Sequence, residues 1–214
     1  DHRVELGYLN IRWIDVAYFE DLVIYDMADE AMITVARGEI DFSLWHLLVA
    51  QRADLDGVIL DNPELNFVQR DSTENMNIVQ LSRRVKEWRG PRDTTSQSAP
   101  VHLGEVVLNQ GKFSLAFMNK DSIAQGLDYN HMNFPRIQIE ARDLVIGSDT
   151  LGVDIRQLST LETSSGMQLR NSHMEFSLTQ QEMGFDELHM ELNDSKVNGD
   201  LHFFYDGYAE LSDF

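Results

Sequence analysis

The groups best able to do chemistry in this chain are its carboxylates, 36 Asp and Glu in 214 residues. Two acids held close together can cleave a glycosidic bond. At this density pairs arise by chance, and none is singled out by an apolar pocket that would raise a pKa. The carboxylates therefore read as a solvated acidic face. Asp21, Asp26, Asp143 and Asp149 flank turn-like sequence, where Asp is favoured for its local hydrogen bonds. No EF-hand spacing turns them into a Ca²⁺ loop. His2, His46, His102, His131, His173, His189 and His202 lie singly, so no helix presents a pair of metal ligands. The absence of Cys excludes disulfides, thiol catalysis and thiolate metal sites. Phosphate-binding glycine loops, a Walker lysine and a G-x-S-x-G elbow are missing too. The expectation is no catalytic residue, no metal site and no cofactor, in a protein that is not an enzyme.

The 17 Lys and Arg leave a formal net charge of −19. That balance argues against a nucleic-acid partner, which needs clustered cations. One local cluster stands out: Arg83, Arg84, Lys86, Arg89 and Arg92. It could contact anionic head groups or an acidic partner, or it could compensate the negative end of a helix dipole.

The elements that must position these groups are mostly strands. Apolar residues alternate at Leu22/Ile24, Ile33/Val35, Phe113/Leu115/Phe117, Met174/Phe176/Leu178 and Leu188/Met190/Leu192, the period of strands with one apolar and one wet face. About a dozen such segments point to antiparallel sheet. Two stretches have helical spacing instead, Ser43–Arg52 and Asn75–Trp88. Residues 90–100 (GPRDTTSQSAP) read as a linker or mobile loop between a first segment, 1–89, and a second, 101–214. Val58–Phe67 and Val106–Leu115 match position by position and read as two hairpins with polar turns. Asp21-Leu-Val-Ile returns as Asp143-Leu-Val-Ile. No apolar run reaches the roughly 18 residues of a membrane span and no signal peptide is present. Both ends look cut, as in a piece of a longer protein. Two short helices cannot cover a dozen amphipathic strands, so the sheet must form a sandwich, a closed barrel or a bent open trough. An open trough leaves an apolar groove that needs a partner.

The order and spacing of these segments resemble the TamB/AsmA-like family of Gram-negative envelope proteins. The likeness is carried by Val4–Ile14 with Phe19-Glu-Asp-Leu-Val-Ile-Tyr-Asp26, by Ala31–Phe42 and the Leu44/Leu47/Leu48 helix, and by Val58–Phe67 before Glu74–Leu81. Leu161-Glu-Thr-Ser-Ser-Gly-Met-Gln-Leu169 and Leu188–Tyr205 extend it over nearly the whole chain. The resemblance implies a long antiparallel-rich β-sheet bent into an open trough, a β-taco, with an apolar concave face and two short helices. It implies a periplasmic segment that conducts phospholipid acyl chains between inner and outer membranes. It also implies an N-terminal inner-membrane anchor and an outer-membrane barrel partner of the TamA type, engaged through a C-terminal region absent here. On this reading Val58, Leu60, Leu65, Phe67, Val106, Leu108, Phe113 and Leu115 line the groove, followed by Ile137, Ile139, Phe176, Leu178, Leu201 and Phe203. Arg83, Arg84, Lys86 and Arg89 would meet head groups or a partner. The alternative is an extracytoplasmic sandwich or solenoid, a scaffold or adhesin binding protein or carbohydrate through its acidic face and through Trp13, Tyr18, Tyr25 and Tyr208. The lining residues would then be a dry core.

Overall fold

The computed structural model describes residues 2–12, 15–42, 55–89, 100–123, 126–147 and 149–207. Alternation produces strands throughout. β1 (Val4–Arg12), β2 (Val16–Tyr25), β3 (Ala31–Phe42) and β4 (Leu55–Gln69) precede helix α1 (Asn77–Arg89). β5 (Val101–Phe117), β6 (His131–Ile146), β7 (Leu151–Leu161), β8 (Gln168–Leu178), β9 (Glu182–Leu192) and β10 (Ser195–Phe204) follow it. All ten belong to one sheet in sequence order, and β1 and β10 do not pair, so the sheet is not closed into a barrel. Every neighbouring pair is antiparallel except β4 and β5. A parallel pair needs a long connection that returns the chain to its starting end. The stretch from Gln69 to Val101, with α1 inside it, supplies that connection and joins the strands before and after it into one sheet.

The two expected hairpins require correction. Val58–Phe67 lies within the single strand β4 and Val106–Leu115 within β5. What looked like a turn is one residue in the left-handed region, Asn62 at φ 50° and Gln110 at φ 54°. Asp21 (53°) and Asp143 (53°) are the same device inside β2 and β6 rather than turn-flanking residues, and Asn171 (47°) and Glu187 (50°) repeat it in β8 and β9. Each left-handed non-Gly residue costs about 1–2 kcal/mol, least for Asn and Asp, and four of these six are Asn or Asp.

These residues invert the strand's alternation. Leu108 faces Ile139 and Gly111 faces Ile137, so two residues of β5, Asn109 and Gln110, oppose the single Gln138 of β6. Ile137 and Ile139 share a face, as residues two apart in a strand do. Leu108 and Gly111, three apart, must then share it too. The same accounting holds at Asn171, where β8 carries the extra residue against β9, and at Glu187, where β9 carries it against β8. Bulges of this kind bend a strand and increase its twist.

The anchor of α1 is a buried polar cluster at the end of the sheet. The Asp26 carboxylate accepts from Arg70 at 2.7 Å, from the backbone N–H of Ala28 and Glu30, and from Asn77 Nδ2 at 3.4 Å. The carbonyl of Asn77's own side chain accepts from the N–H of Val68, which ties the helix start to β4, and from the N–H of Ile78; the helix begins at Asn77, two residues after the expected start. Burial alone would raise the Asp26 pKa. The hydrogen bonds from Arg70, Glu30, Ala28 and Asn77 outweigh it and hold the carboxyl below its ordinary value. The second expected helix, Ser43–Arg52, lies outside the described residues, as do residues 90–99 of the linker. Among the described residues there is thus one helix and ten strands, not a dozen.

Little of the sheet is fully enclosed. Phe19, Met32, Val35, Pro63, Ala141, Met174, Leu188 and Tyr205 are the buried apolar side chains among the described residues. Gly38 is required under one of them: the Phe19 ring lies 2.1 Å from where a Cβ would stand.

Candidate functional site

Register places all the lining candidates on one face. In the parallel β4–β5 ladder Val58 neighbours Val106, Leu60 neighbours Leu108, Leu65 neighbours Phe113 and Phe67 neighbours Leu115. The position-by-position match of the two segments in sequence thus becomes an in-register pairing in space. Ile139 follows beside Leu108, and Ala141 and Ile155 continue the row from Val106 to Met174. Phe176 and Leu178 lie two and four residues beyond Met174 on the same strand face. Phe176 pairs with Phe185 and Leu178 with Met183, which in turn face Leu201 and Phe203. Without the inversions at Asn62 and Gln110, Leu65, Phe67, Phe113 and Leu115 would point away from Leu60 and Leu108.

Rings cluster at two places on this face. Phe67 meets Phe113 edge-on at 5.5 Å, and Phe113 lies 6.1 Å from Phe134. Phe185 lies 5.2 Å from Phe176 and 6.4 Å from Phe203. Phe134 and Phe185 escaped the sequence reading because the chain changes phase beside each of them. β6 holds an extra residue between Phe134 and Ile137, and Glu187 separates Phe185 from the Leu188/Met190 alternation. A lone aromatic out of phase with its strand was the available signal. Most of the lining candidates are half-buried; Leu201 and Phe203, at the β10 edge, are exposed at 42% and 43%.

The opposite face is mixed, with Ile59 beside Val107 and Val68 beside Ala116 among polar pairs. Along β4 and β5 it carries Asp61 bonded to Asn109 at 2.9 Å, Glu64 paired with Lys112, and Ser114 bonded to Asn66 at 2.7 Å. Arg37 adds an ion pair to Asp61 at 3.3 Å. Tyr18 and Tyr25, candidates for a carbohydrate-binding surface, are occupied on β2. Tyr25 donates to Glu5 and lies under Arg3, while Tyr18 donates to Glu20 and lies under Arg12. Trp13 and Tyr208 lie outside the described residues.

Two buried carboxylates close turns. Glu162, with no exposure, closes the β7–β8 turn, and Asp128, 3% exposed, closes the turn before β6. Among the described residues no three His, Asp or Glu side chains are grouped to hold a metal ion. His173 and His189 stack at 5.0 Å across β8 and β9.

His202 has both ring nitrogens engaged: Nδ1 lies 2.6 Å from Glu182 and Nε2 lies 3.0 Å from Asp186. A neutral imidazole donates from one nitrogen only, so both contacts are satisfied together by the imidazolium. The Glu182 hydrogen bond leads a set of interactions that raises the His202 pKa above its ordinary value, against the opposing effect of burial. A raised folded pKa adds stability below the unfolded pKa and loses it as pH rises through the folded one. NMR titration of the imidazole should give a pKa above about 6.5, reduced toward that value by Glu182→Gln. An unmoved pKa in the variant would remove the clamp.

The basic cluster sits on α1. Arg83, Arg84 and Lys86 are exposed there, and the helix ends at Arg89. Arg92 lies outside the described residues. Comparison with known proteins gives no match to any family model, curated protein or solved structure.

Proposed function

We propose that the sheet is an open trough whose apolar concave face holds the acyl chains of phospholipids, as a non-catalytic periplasmic segment of an envelope protein that carries lipid between membranes. The observation that carries this reading is the convergence on one face of half-buried apolar residues from strands along an unclosed sheet. Soluble proteins seldom leave a large contiguous apolar patch without an occupant. Ten CH₂ groups buried there would contribute about 8 kcal/mol. Because those contacts have no direction, a chain could be held firmly in sum and still slide.

Extraction and mass spectrometry of the detergent-free protein should find phospholipid near one equivalent or above. Leu60→Asp or Leu115→Asp should remove it while leaving the far-UV circular dichroism intact, since both positions are half-buried. Lipid-free wild-type protein, or variants that simply unfold, would point to a dry core and a scaffold.

A further inference from the structure

We propose that the second half of α1 docks on an anionic lipid surface. The helix carries an apolar stripe, Ile78, Leu81, Val85 and Trp88, at the three- and four-residue spacing of one helical face. The stripe is covered only at its start. Ile78 and Leu81 are half-buried beside the Asn77 anchor, whereas Val85 is 38% and Trp88 86% exposed. From Ser82 to Trp88 every residue is exposed, so this half of the helix stands clear of the sheet.

The polar residues around the stripe select the occupant. Arg83, Arg84 and Lys86 flank it, with Glu87 paired to Arg84 at 3.4 Å as the acidic neighbour. Arg83 and Arg84 also line a cleft of about 200 Å³ with His2, Met27, Gln80 and Glu87, and Met27 is itself 63% exposed. In a chain of net charge −19 most of the surface is repelled by an anionic membrane. A cationic helix bearing an exposed indole offers both attractions that interfacial binding uses, charge and shallow insertion. Trp suits the head-group boundary, with its ring in the apolar layer and its N–H in the wet one. This surface is distinct from the trough and stands whether or not the trough holds lipid.

The test is flotation of the whole chain with vesicles. Equimolar phosphatidylglycerol and phosphatidylcholine should carry the protein at low salt, and pure phosphatidylcholine should not. Binding should vanish near 1 M salt, where the Debye length falls to about 3 Å. Arg84→Glu with Lys86→Glu should weaken binding by about a hundredfold or more, since each surface cation contributes about fivefold. Trp88→Ser should weaken it by about tenfold. Both variants alter exposed positions and should keep the wild-type melting curve. Leu60→Asp should bind vesicles like wild type even if it empties the trough, which separates the two proposals. No flotation with anionic vesicles, equal flotation with neutral ones, or wild-type binding by the helix variants would overturn this docking.

Discussion

Glu162→Gln is expected to lower the unfolding free energy by about 3 kcal/mol at neutral pH. The side chain is fully buried at the end of β7. One carboxylate oxygen accepts from the N–H of Ser164 at 3.1 Å, from the Ser164 hydroxyl at 2.7 Å and from the N–H of Asn133 at 3.3 Å. The other accepts from the N–H and hydroxyl of Ser165 at 2.7 and 2.6 Å. Burial alone would raise the pKa, but the donors of Ser165 and Ser164 outweigh it and bring it down to about 2. The folded pKa lies below the unfolded one, so this stabilisation is complete above about pH 4.5 and is lost as pH falls toward 2. Gln keeps one acceptor oxygen and turns an NH₂ group toward donors that then have no partner. Urea unfolding should show a wild-type-minus-variant difference of about 3 kcal/mol at pH 7 that shrinks steadily toward pH 2. Equal midpoints at pH 7, or a difference independent of pH, would show that the turn does not depend on the charge.

Glu162 also marks where sequence reading reached its limit. That one of 36 acids is enclosed by the Thr-Ser-Ser-Gly turn beside it is a tertiary fact. The same is true of Asp26, whose partners Arg70 and Asn77 come from 44 and 51 residues away. Strand content was legible because alternation is a local consequence of the pleat. The kinship of Val58–Phe67 with Val106–Leu115 was legible as well, and it foreshadows the one ladder in which equivalent residues stand side by side. The direction of that ladder was not. A change of phase from Val58/Leu60 to Leu65/Phe67 can come from a turn that reverses the chain or from one left-handed residue that does not. Periodicity is identical in the two cases, and Asn-Pro favours either. Pairing with β3 decides it: Gly38 faces Leu60 and Ile33 faces Leu65, along one uninterrupted antiparallel partner.

That phase change yields the other large effect, from Asn62→Pro, which leaves every apolar residue and the residue count in place. Proline fixes φ at about −65°, so the left-handed bend is lost and the outer half of β4 turns over. Leu65 and Phe67 would leave the face they share with Phe113 and Leu115, and Glu64 and Asn66 would enter it. Displacing two large apolar side chains forfeits about 3–6 kcal/mol, a substantial part of the stability of an ordinary domain. We expect the substitution to abolish cooperative unfolding or to leave the chain insoluble. Asn62→Gly, which keeps the residue count and relaxes the φ of 50°, should unfold within about 1 kcal/mol of wild type. The contrast isolates the cause, since Gly also removes the Asn side chain but keeps the left-handed conformation open. Gln110→Pro should reproduce the failure in β5. An Asn62→Pro variant that unfolds like wild type would mean that the shared face does not depend on the inversion.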